Sequence, residues 1–463
     1  MSGTFSSLSS ALSALRYNRV AMDVASTNVA NASTPGYARR QVVGQSTGAP
    51  ALPAIWSRWD SAVGGVEAGA INRMVDPIMD ARARAEHAGA SFTDTRASSL
   101  ENLETSVAEP GTTGVSAALN TYQAAWHDVA NNPADEAART QLLATAHTLV
   151  DTVTAQGTAV ANEWASERSS LDAAVSEVNQ VAGQLADLNQ GLRQSYVGGT
   201  DAGTLLDQRD QLTLRLAELT GAKVSINADT TVDVTVAGQD LVKGNNAYAV
   251  AVTGSADLAG AATSPVTLTV NGSAVTLGTG QIGAQQSLLT TDLPGYLTSL
   301  DGFVAALASS VNAQHHAGAD LDGAAGGDFW SGTTVATLQV AITDPRKVAA
   351  SDLSTVDTTT GAGVLGNANA TTLSGLDMGE TRYRNLVSAL GVTVSSARQG
   401  ATNQATLAGQ VDAARDALSG VSTDEEMVNL LAAQHGYEAA ARVMTTLDSM
   451  LDTLINNTGM VGR

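Results

Sequence analysis

Residues 8–40 read LSSALSALRYNRVAMDVASTNVANASTPGYARR, and the fold follows from how this stretch is read. Leu8, Leu12, Leu15, Met22 and Val29 fall at coiled-coil spacing, with Arg19 and Ser26 where the stripe breaks. A 3.5-residue repeat puts one narrow apolar stripe along one side of a helix. Its own helix cannot bury such a stripe, which needs a second helix in the same chain or in a partner. The far end of the chain carries the same pattern. Met427, Leu430, Tyr437, Ala441, Met444, Leu451 and Ile455 repeat the spacing, interrupted by Gln434 and Asp448. Ser422 or Thr423 is the expected cap of that helix, with Glu425 and Glu426 favourably placed in its first turn. The two ends are expected to pair with each other, to assemble with further copies, or to pack as ordinary helices on the protein's own core.

Between these ends the periodicity changes twice. Ile71 to Val107 reads as a long helix that Pro77 bends near its start. Val115 to Val129 reads as a short helix, and Asn131-Asn132-Pro133 breaks it. A very long helix then runs to about Arg193, rich in strong helix formers, and Asp201 to Leu219 forms another. From Val224 the pattern alternates with period two, at Val224 to Ile226, Thr231 to Val236, Ala247 to Val252 and Val266 to Val270, with glycine turns between. Helix resumes from Leu293 to Gln314 and again from Thr371 to about Leu418, with one strand expected at Thr337 to Ile342. The predicted fold is mainly α with inserted β: an elongated multi-domain helical rod or bundle formed by the N- and C-terminal segments. Residues 1–60 with 420–463 form a terminal coiled-coil assembly domain. Residues 61–222 with 285–419 form a long-helix bundle with a strand-containing tract near 330–370. Residues 223–284 form a small inserted β domain.

Composition narrows the function. The 463 residues carry a formal charge of −21, which argues against general nucleic-acid binding and against an anionic membrane surface. The absence of cysteine removes disulfides, thiolate nucleophiles and cysteine-ligated zinc. No secretory signal and no bilayer-spanning apolar run is expected. His315-His316 with Asp320, Asp322 and Asp328 begins like a cation loop, but the further acid and closing glutamate of a calcium loop are missing. An Asp/Gly turn is the better reading there. Asp207-Gln208-Arg209-Asp210 reads as surface ion pairing within a bundle rather than an acid/base pair. No phosphate-binding, nucleophile-elbow or dinucleotide motif occurs. The chain is read as a non-enzyme, without cofactor or metal. Arg39-Arg40, in a locally basic N-terminal segment, is expected to face an acidic partner surface.

The helix that begins the chain ends in a distinctive turn. Asn28 and Asn31 close it, and Thr34-Pro35-Gly36-Tyr37 follows, with Arg39 beyond. Pro35-Gly36 suits a type II turn, and Tyr37 presents a ring and a hydroxyl as an interface anchor. Asn28 to Arg39 resembles the N-terminal signature of the flagellar rod, hook and hook-associated proteins. Asp424 to Leu430, Ala440 to Val443 and Leu451 to Ile455 resemble the other end of that family. Within it, Ala130 to Pro133, Leu205 to Asp210, Leu293 to Tyr296 and Val311 to His315 are similar to the hook-associated proteins of the hook–filament junction.

This resemblance implies a structural junction subunit of the bacterial flagellum that supports motility by self-assembly. It implies contacts with further copies of itself, with the hook protein and with the second hook-associated protein. It implies type III export with a dedicated chaperone, and a secreted, extracellular location. It also implies that a large outer domain present in some relatives is missing here. The alternative that composition permits is a secreted coiled-coil surface adhesin or antigen.

Overall fold

The computed structural model describes residues 2–47, 64–353 and 366–453. The chain is mainly helical, with small antiparallel sheets set into its middle. Helix α1 (Ser2–Ala30) leads into a hairpin of β1 (Arg40–Thr47) and β2 (Gly65–Arg73). Its register sets Arg40 opposite Arg73. The hairpin corrects the expectation of a helix from Ile71. Strand pairing continues to Arg73, and helix α2 (Pro77–Val107) starts at the proline instead of being bent by it. Proline suits the first helical turn, where its missing N–H would have no partner. Asp76 caps this helix by accepting from the Ile78 N–H at 2.8 Å.

Helix α3 (Val115–Asn131) precedes α4 (Glu136–Gly198), whose 63 residues make it the longest element. At 1.5 Å per residue it is about 95 Å long. Leu142, Leu149, Val153, Val160, Trp164, Leu171, Val178, Leu185 and Leu192 are buried along one side of it, so most of its length faces a core. Helix α5 (Gly203–Thr220) folds back beside it.

The β region lies against α4. Strands β3 (Lys223–Ile226), β4 (Val232–Val236), β5 (Gln239–Lys243) and β6 (Asn246–Ala247) form one meander. Strands β7 (Val250–Thr253), β8 (Thr267–Val270) and β9 (Ser273–Val275) form another. Neither sheet closes. Buried Asn189 of α4 bridges the first sheet, donating to the Val232 and Gly244 carbonyls and accepting from the Val232 N–H. Asn179 accepts from Val250 N and donates to Val250 O in the second. The alternation in sequence marks β4 and β8. It does not mark β5, where a register shift puts the adjacent Leu241 and Val242 both into the core.

Helix resumes earlier than Leu293. Helix α6 (Gly280–Ser287), a π-helical turn at Leu288–Asp292 and α7 (Leu293–His316) run on without a break. Pro294 has no N–H to offer, and the π turn absorbs the fault. The Leu293 N–H reaches back to the Leu288 carbonyl. The Leu289 carbonyl, which would face the missing proline N–H, accepts instead from the Trp164 indole at 2.9 Å. Among the described residues beyond α7 the strands are two residues each: β10 (Gly318–Ala319), β11 (Trp330–Ser331), β12 (Gln339–Val340) and β13 (Ser351–Asp352). The expected strand at Thr337 to Ile342 is therefore limited to β12. Helix α8 (Ala368–Ser374) is separate from α9 (Glu380–Ser419), because Gly379 turns with φ of +89° close over the Phe303 ring. Helix α10 (Thr423–Asp452) is capped by Ser422, which accepts from the Glu425 N–H.

His315 is fully buried beside Trp126 and Phe329. Its Nδ1 lies 2.7 Å from the Gly327 carbonyl, and its Nε2 accepts from the Ala349 N–H at 2.8 Å. The ring is therefore neutral with its proton on Nδ1. Burial, opposed by the Gly327 bond, pushes its pKa down to about 4. The folded state then binds this proton less readily than the unfolded chain, so stability rises with pH across this window. The contribution is fully present above about pH 6.5 and is lost as pH falls toward 4, amounting to about 3 kcal/mol. Urea unfolding of a His315→Asn variant is expected to show a flatter dependence between pH 6.5 and 4 than the parent chain. Equal slopes would contradict this assignment.

Candidate assembly joint

Helices α1 and α10 pair antiparallel: the Asn28 end of α1 meets Glu426, and Asn18 lies against Gly436. Each helix presents two rows at seven-residue spacing. Leu8, Leu15, Met22 and Val29 form the bulky row of α1, and all are half-buried. Leu430, Met444 and Leu451 are half-buried in the matching row of α10, where Tyr437 is more open. The closest packing comes from the other row, three residues further along. Ala11 and Ala25 on α1, and Glu426, Ala433 and Ala440 on α10, are the buried positions. Small side chains there let the two backbones approach. Leu12 and Met427 point away from this contact and are 40% and 50% exposed. Ile455 lies outside the described residues.

The turn after α1 clasps the coil to the body. Asn28 is fully buried and uses both ends of its amide. Its Nδ2 donates to the Arg40 carbonyl at 2.8 Å and to Glu426 Oε2 at 3.0 Å. Its Oδ1 accepts from the Tyr37 hydroxyl at 2.7 Å and from the Arg40 N–H at 3.0 Å. Asn31 donates to the Thr27 carbonyl and accepts from the Thr34 hydroxyl. Gly36 turns with φ of +76°, a conformation that favours glycine, and Gln211 of α5 donates to the neighbouring Pro35 carbonyl. Tyr37 is thus an internal clasp, its ring 5.2 Å from the Arg40 guanidinium carbon. Burial raises the pKa of its hydroxyl against the pull of Arg40, which keeps it a donor.

The two arginines after the turn divide the work. Arg39 reaches the start of α10, pairing with Glu426 at 2.8 Å and Glu425 at 3.1 Å, while its N–H donates to the Ser419 carbonyl. Arg40 reaches the other way, to Asp207 of α5 at 3.1 Å. Arg73, its partner across the hairpin, pairs with Asp207 at 2.7 Å and Asp210 at 2.8 Å. Arg209 closes the relay, bonding Asp210 at 2.8 Å and the Thr230 carbonyl at 2.9 Å. Two expectations are corrected here. Asp207, Arg209 and Asp210 are buried rather than surface ion pairs, because the hairpin lies over them. Arg39 and Arg40 are engaged within their own chain rather than facing an outside partner. Burial works against the Arg73 charge, yet Asp210 and then Asp207 outweigh it and its pKa is raised.

Such a site locks; it offers no free base or nucleophile, since every carboxylate in it is held by guanidinium. Asp320 is likewise engaged as a turn former, accepting from the Asp322 and Ala324 N–H groups and pairing with Lys347. Among the described residues, no group of three or more His, Cys, Asp or Glu side chains is arranged to hold a metal ion, and no helix is long and apolar enough to cross a membrane.

Comparison with known proteins places this architecture. Residues 100–330 match the family model described as the flagellar hook-associated protein FlgK helical domain. Residues 8–37 match that of the flagella basal body rod protein, and 417–457 that of the flagellar basal body rod FlgEFG protein C-terminal region. Over the whole length of both chains, the sequence is 28% identical to a flagellar hook-associated protein 1 of Bacillus subtilis. The chain belongs to the hook-associated protein 1 family. An Escherichia coli flagellar hook-associated protein 1 is 24% identical over 97% of this chain and 99% of its own. The alignment with that relative runs over 548 positions, more than this family member's 463 residues, so the relative carries stretches absent here. The solved flagellar hook junction protein FlgK of Burkholderia pseudomallei shares the fold, with a TM-score of 0.64, 17% identity, and cover of 73% of this chain and all of its own.

The residues that reading for large apolar side chains overlooked are Ala11, Ala25, Ala433, Ala440 and Arg73, while Glu426 and Arg40 carried other roles there, a first-turn acid and half of a basic pair. The signal was present as a second seven-residue spacing, in Ala11, Asn18 and Ala25 and in Glu426, Ala433, Ala440 and Leu447. Removing one cation from the relay tests its role. An Arg73→Ala variant leaves Asp207 and Asp210 buried with less compensation, a loss expected to cost about 3–5 kcal/mol. Amide exchange is expected to accelerate first across 40–47 and 65–73 while α4 stays protected. Uniform acceleration in both regions would contradict a local lock.

Proposed function

We propose that this chain is a structural, non-catalytic subunit joining hook to filament in the bacterial flagellum. The observation that carries this reading is the antiparallel α1–α10 coil, clamped to the body by buried charge while α10 keeps a second apolar face open. Val428, Leu431, Val443 and Met450 are 66%, 47%, 49% and 54% exposed in the isolated chain. Apolar groups in that arrangement mark a surface meant for covering. The whole-length likeness to hook-associated proteins supports the same reading.

In this proposal the terminal unit (1–60 with 420–463) stacks with further copies and forms the inner part of the assembly. The helical body (61–222 with 285–419) surrounds it, and the β region (223–284) faces outward. One axial surface meets the hook protein and the other the second hook-associated protein. Before assembly an export chaperone covers the C-terminal helix. The chain leaves through the flagellar type III channel and resides outside the cell, at the hook–filament junction. The proposed seam comprises Leu8, Leu15, Met22, Val29, Leu430, Tyr437, Met444, Leu451 and Ile455, with Leu12 and Met427, which point away from the α1–α10 contact, turned toward neighbouring copies. The turn Asn28, Asn31, Thr34, Pro35, Gly36, Tyr37 and Arg39 fixes its angle to the body.

Electron microscopy of flagella from a strain lacking the gene, complemented with a tagged copy, tests this. The strain is expected to make hooks without filaments, and the tag is expected at the junction. Leu431→Asp with Val443→Asp separates assembly from folding. Both sites are exposed in the free chain, so each change is expected to move its stability by about 0.5 kcal/mol or less. Filament attachment is nevertheless expected to fail. Normal filaments from this variant would refute the open face as an assembly surface.

A further inference from the structure

Helix α4 carries Glu163 and Glu167 one turn apart, both half-buried, where α2 and α6 cross it. Ser99 of α2 and Gln285 of α6 are each only 1% exposed beside them. The Ser99 hydroxyl donates to Glu163 Oε1 at 2.7 Å. The Ser99 hydroxyl and the Gln285 amide both come within hydrogen-bonding reach of the Glu167 carboxylate as well. Yet Oε2 of Glu167 and Oε1 of Gln285 are both shut off from solvent and lack any hydrogen-bond partner. The site therefore holds an excess of oxygen acceptors and two negative charges.

The neighbouring cations are directed elsewhere: Arg96 pairs with Asp292, and Arg168 turns to Asp172 and the Ser255 carbonyl, although its Nη1 makes no well-formed hydrogen bond. Other buried or nearly buried carboxylates are treated differently. Asp80, Asp207, Asp210, Asp320 and Glu426 each have an arginine or lysine within 3.1 Å. At Glu163 and Glu167 the described chain supplies no such partner. An uncompensated buried charge is costly, and so is a buried acceptor without a donor. One cation relieves both. Burial, and then the charge of Glu163, raises the Glu167 pKa, which agrees with that imbalance.

The donor chemistry selects the ion. Two carboxylates, an amide carbonyl and a hydroxyl form an all-oxygen set without imidazole or thiolate, which suits a hard cation and not zinc or copper. Ligands from three helices, completed by water, match the irregular oxygen shell of calcium better than the strict octahedron of magnesium. We propose that Glu163, Glu167, Ser99 and Gln285 bind a calcium ion that ties α2 and α6 to α4. The tie lies next to the π turn at Leu288–Asp292, where Pro294 weakens the α6–α7 helix and Trp164 already supplies one replacement bond.

Trp164 sits between the two glutamates in sequence, so it can report the ion directly. Terbium is the probe, added to the full-length monomer, with excitation of tryptophan. Sensitised terbium emission is expected, displaced by calcium but only weakly by magnesium. Millimolar calcium is expected to raise the thermal unfolding midpoint by several degrees over chelator, by mass-action linkage. Both effects are expected to vanish in Glu163→Gln with Glu167→Gln, which keeps side-chain size and removes the repulsion. Ser99→Ala, a milder change, is expected to weaken binding several-fold. Emission that persists in the double variant would place the ion elsewhere on this acidic chain and overturn the proposal. A midpoint that rises with mild acid but not with calcium would overturn it too, because the pair would then take up a proton instead.

Discussion

Asn28 and Glu426 are 398 residues apart in sequence and share a buried hydrogen bond. The arrangement of the two chain ends depends on that contact and on the charges that continue from it. Glu426 is 3% exposed, and Arg39 neutralises it. Arg40, the next residue, turns to Asp207, and Arg73 and Arg209 complete the compensation on α5. A buried charge tolerates little displacement, because a carboxylate that loses its partner in a low-dielectric site loses several kcal/mol. The relay thus fixes one angle between the terminal coil and the helical body. A hydrophobic contact of the same size is less directional and allows sliding.

The coil itself is held more loosely. Alanines at its closest row bury little apolar area, and apolar area is what stabilises a helix pair. Its bulky row is only half covered, and a further face of α10 is open to solvent. The body is the opposite case, with Trp164, Tyr122, Trp126 and a long stripe of leucines and valines fully enclosed. The contrast is between a body that is complete within one chain and a coil whose orientation is set within the chain while part of its apolar surface stays open. An assembly subunit needs that division, since a self-sufficient coil would have no surface left for stacking.

Much of this was legible in sequence because helical periodicity is a local property. The terminal stripes, the long α4 and the period-two run at Val232–Val236 follow from side-chain spacing. The hairpin was not legible. Gly65–Arg73 is rich in glycine and alanine, which carry little strand preference, so it read as the approach to a helix. Missing the hairpin hid Arg73, and without Arg73 the pair Asp207 and Asp210 looked like surface charge. The alanine row was overlooked for a related reason: a small residue is buried by what approaches it, not by its own hydrophobicity. The start of the helix before Leu293 was obscured by Pro294, whose usual role as a helix boundary is overridden by the π turn and the Trp164 indole.

The relay's hold on the terminal coil is tested most directly by a double-mutant cycle on Asn28 and Glu426. The parent chain, Asn28→Ala, Glu426→Ala and the double variant are compared by denaturant unfolding read from probes on α1 and on α4. The account predicts a coupling of about 2–3 kcal/mol, the upper range for buried residues in one network, at the α1 probe and little change at α4. A coupling below about 0.5 kcal/mol, the level of independent sites, would contradict it.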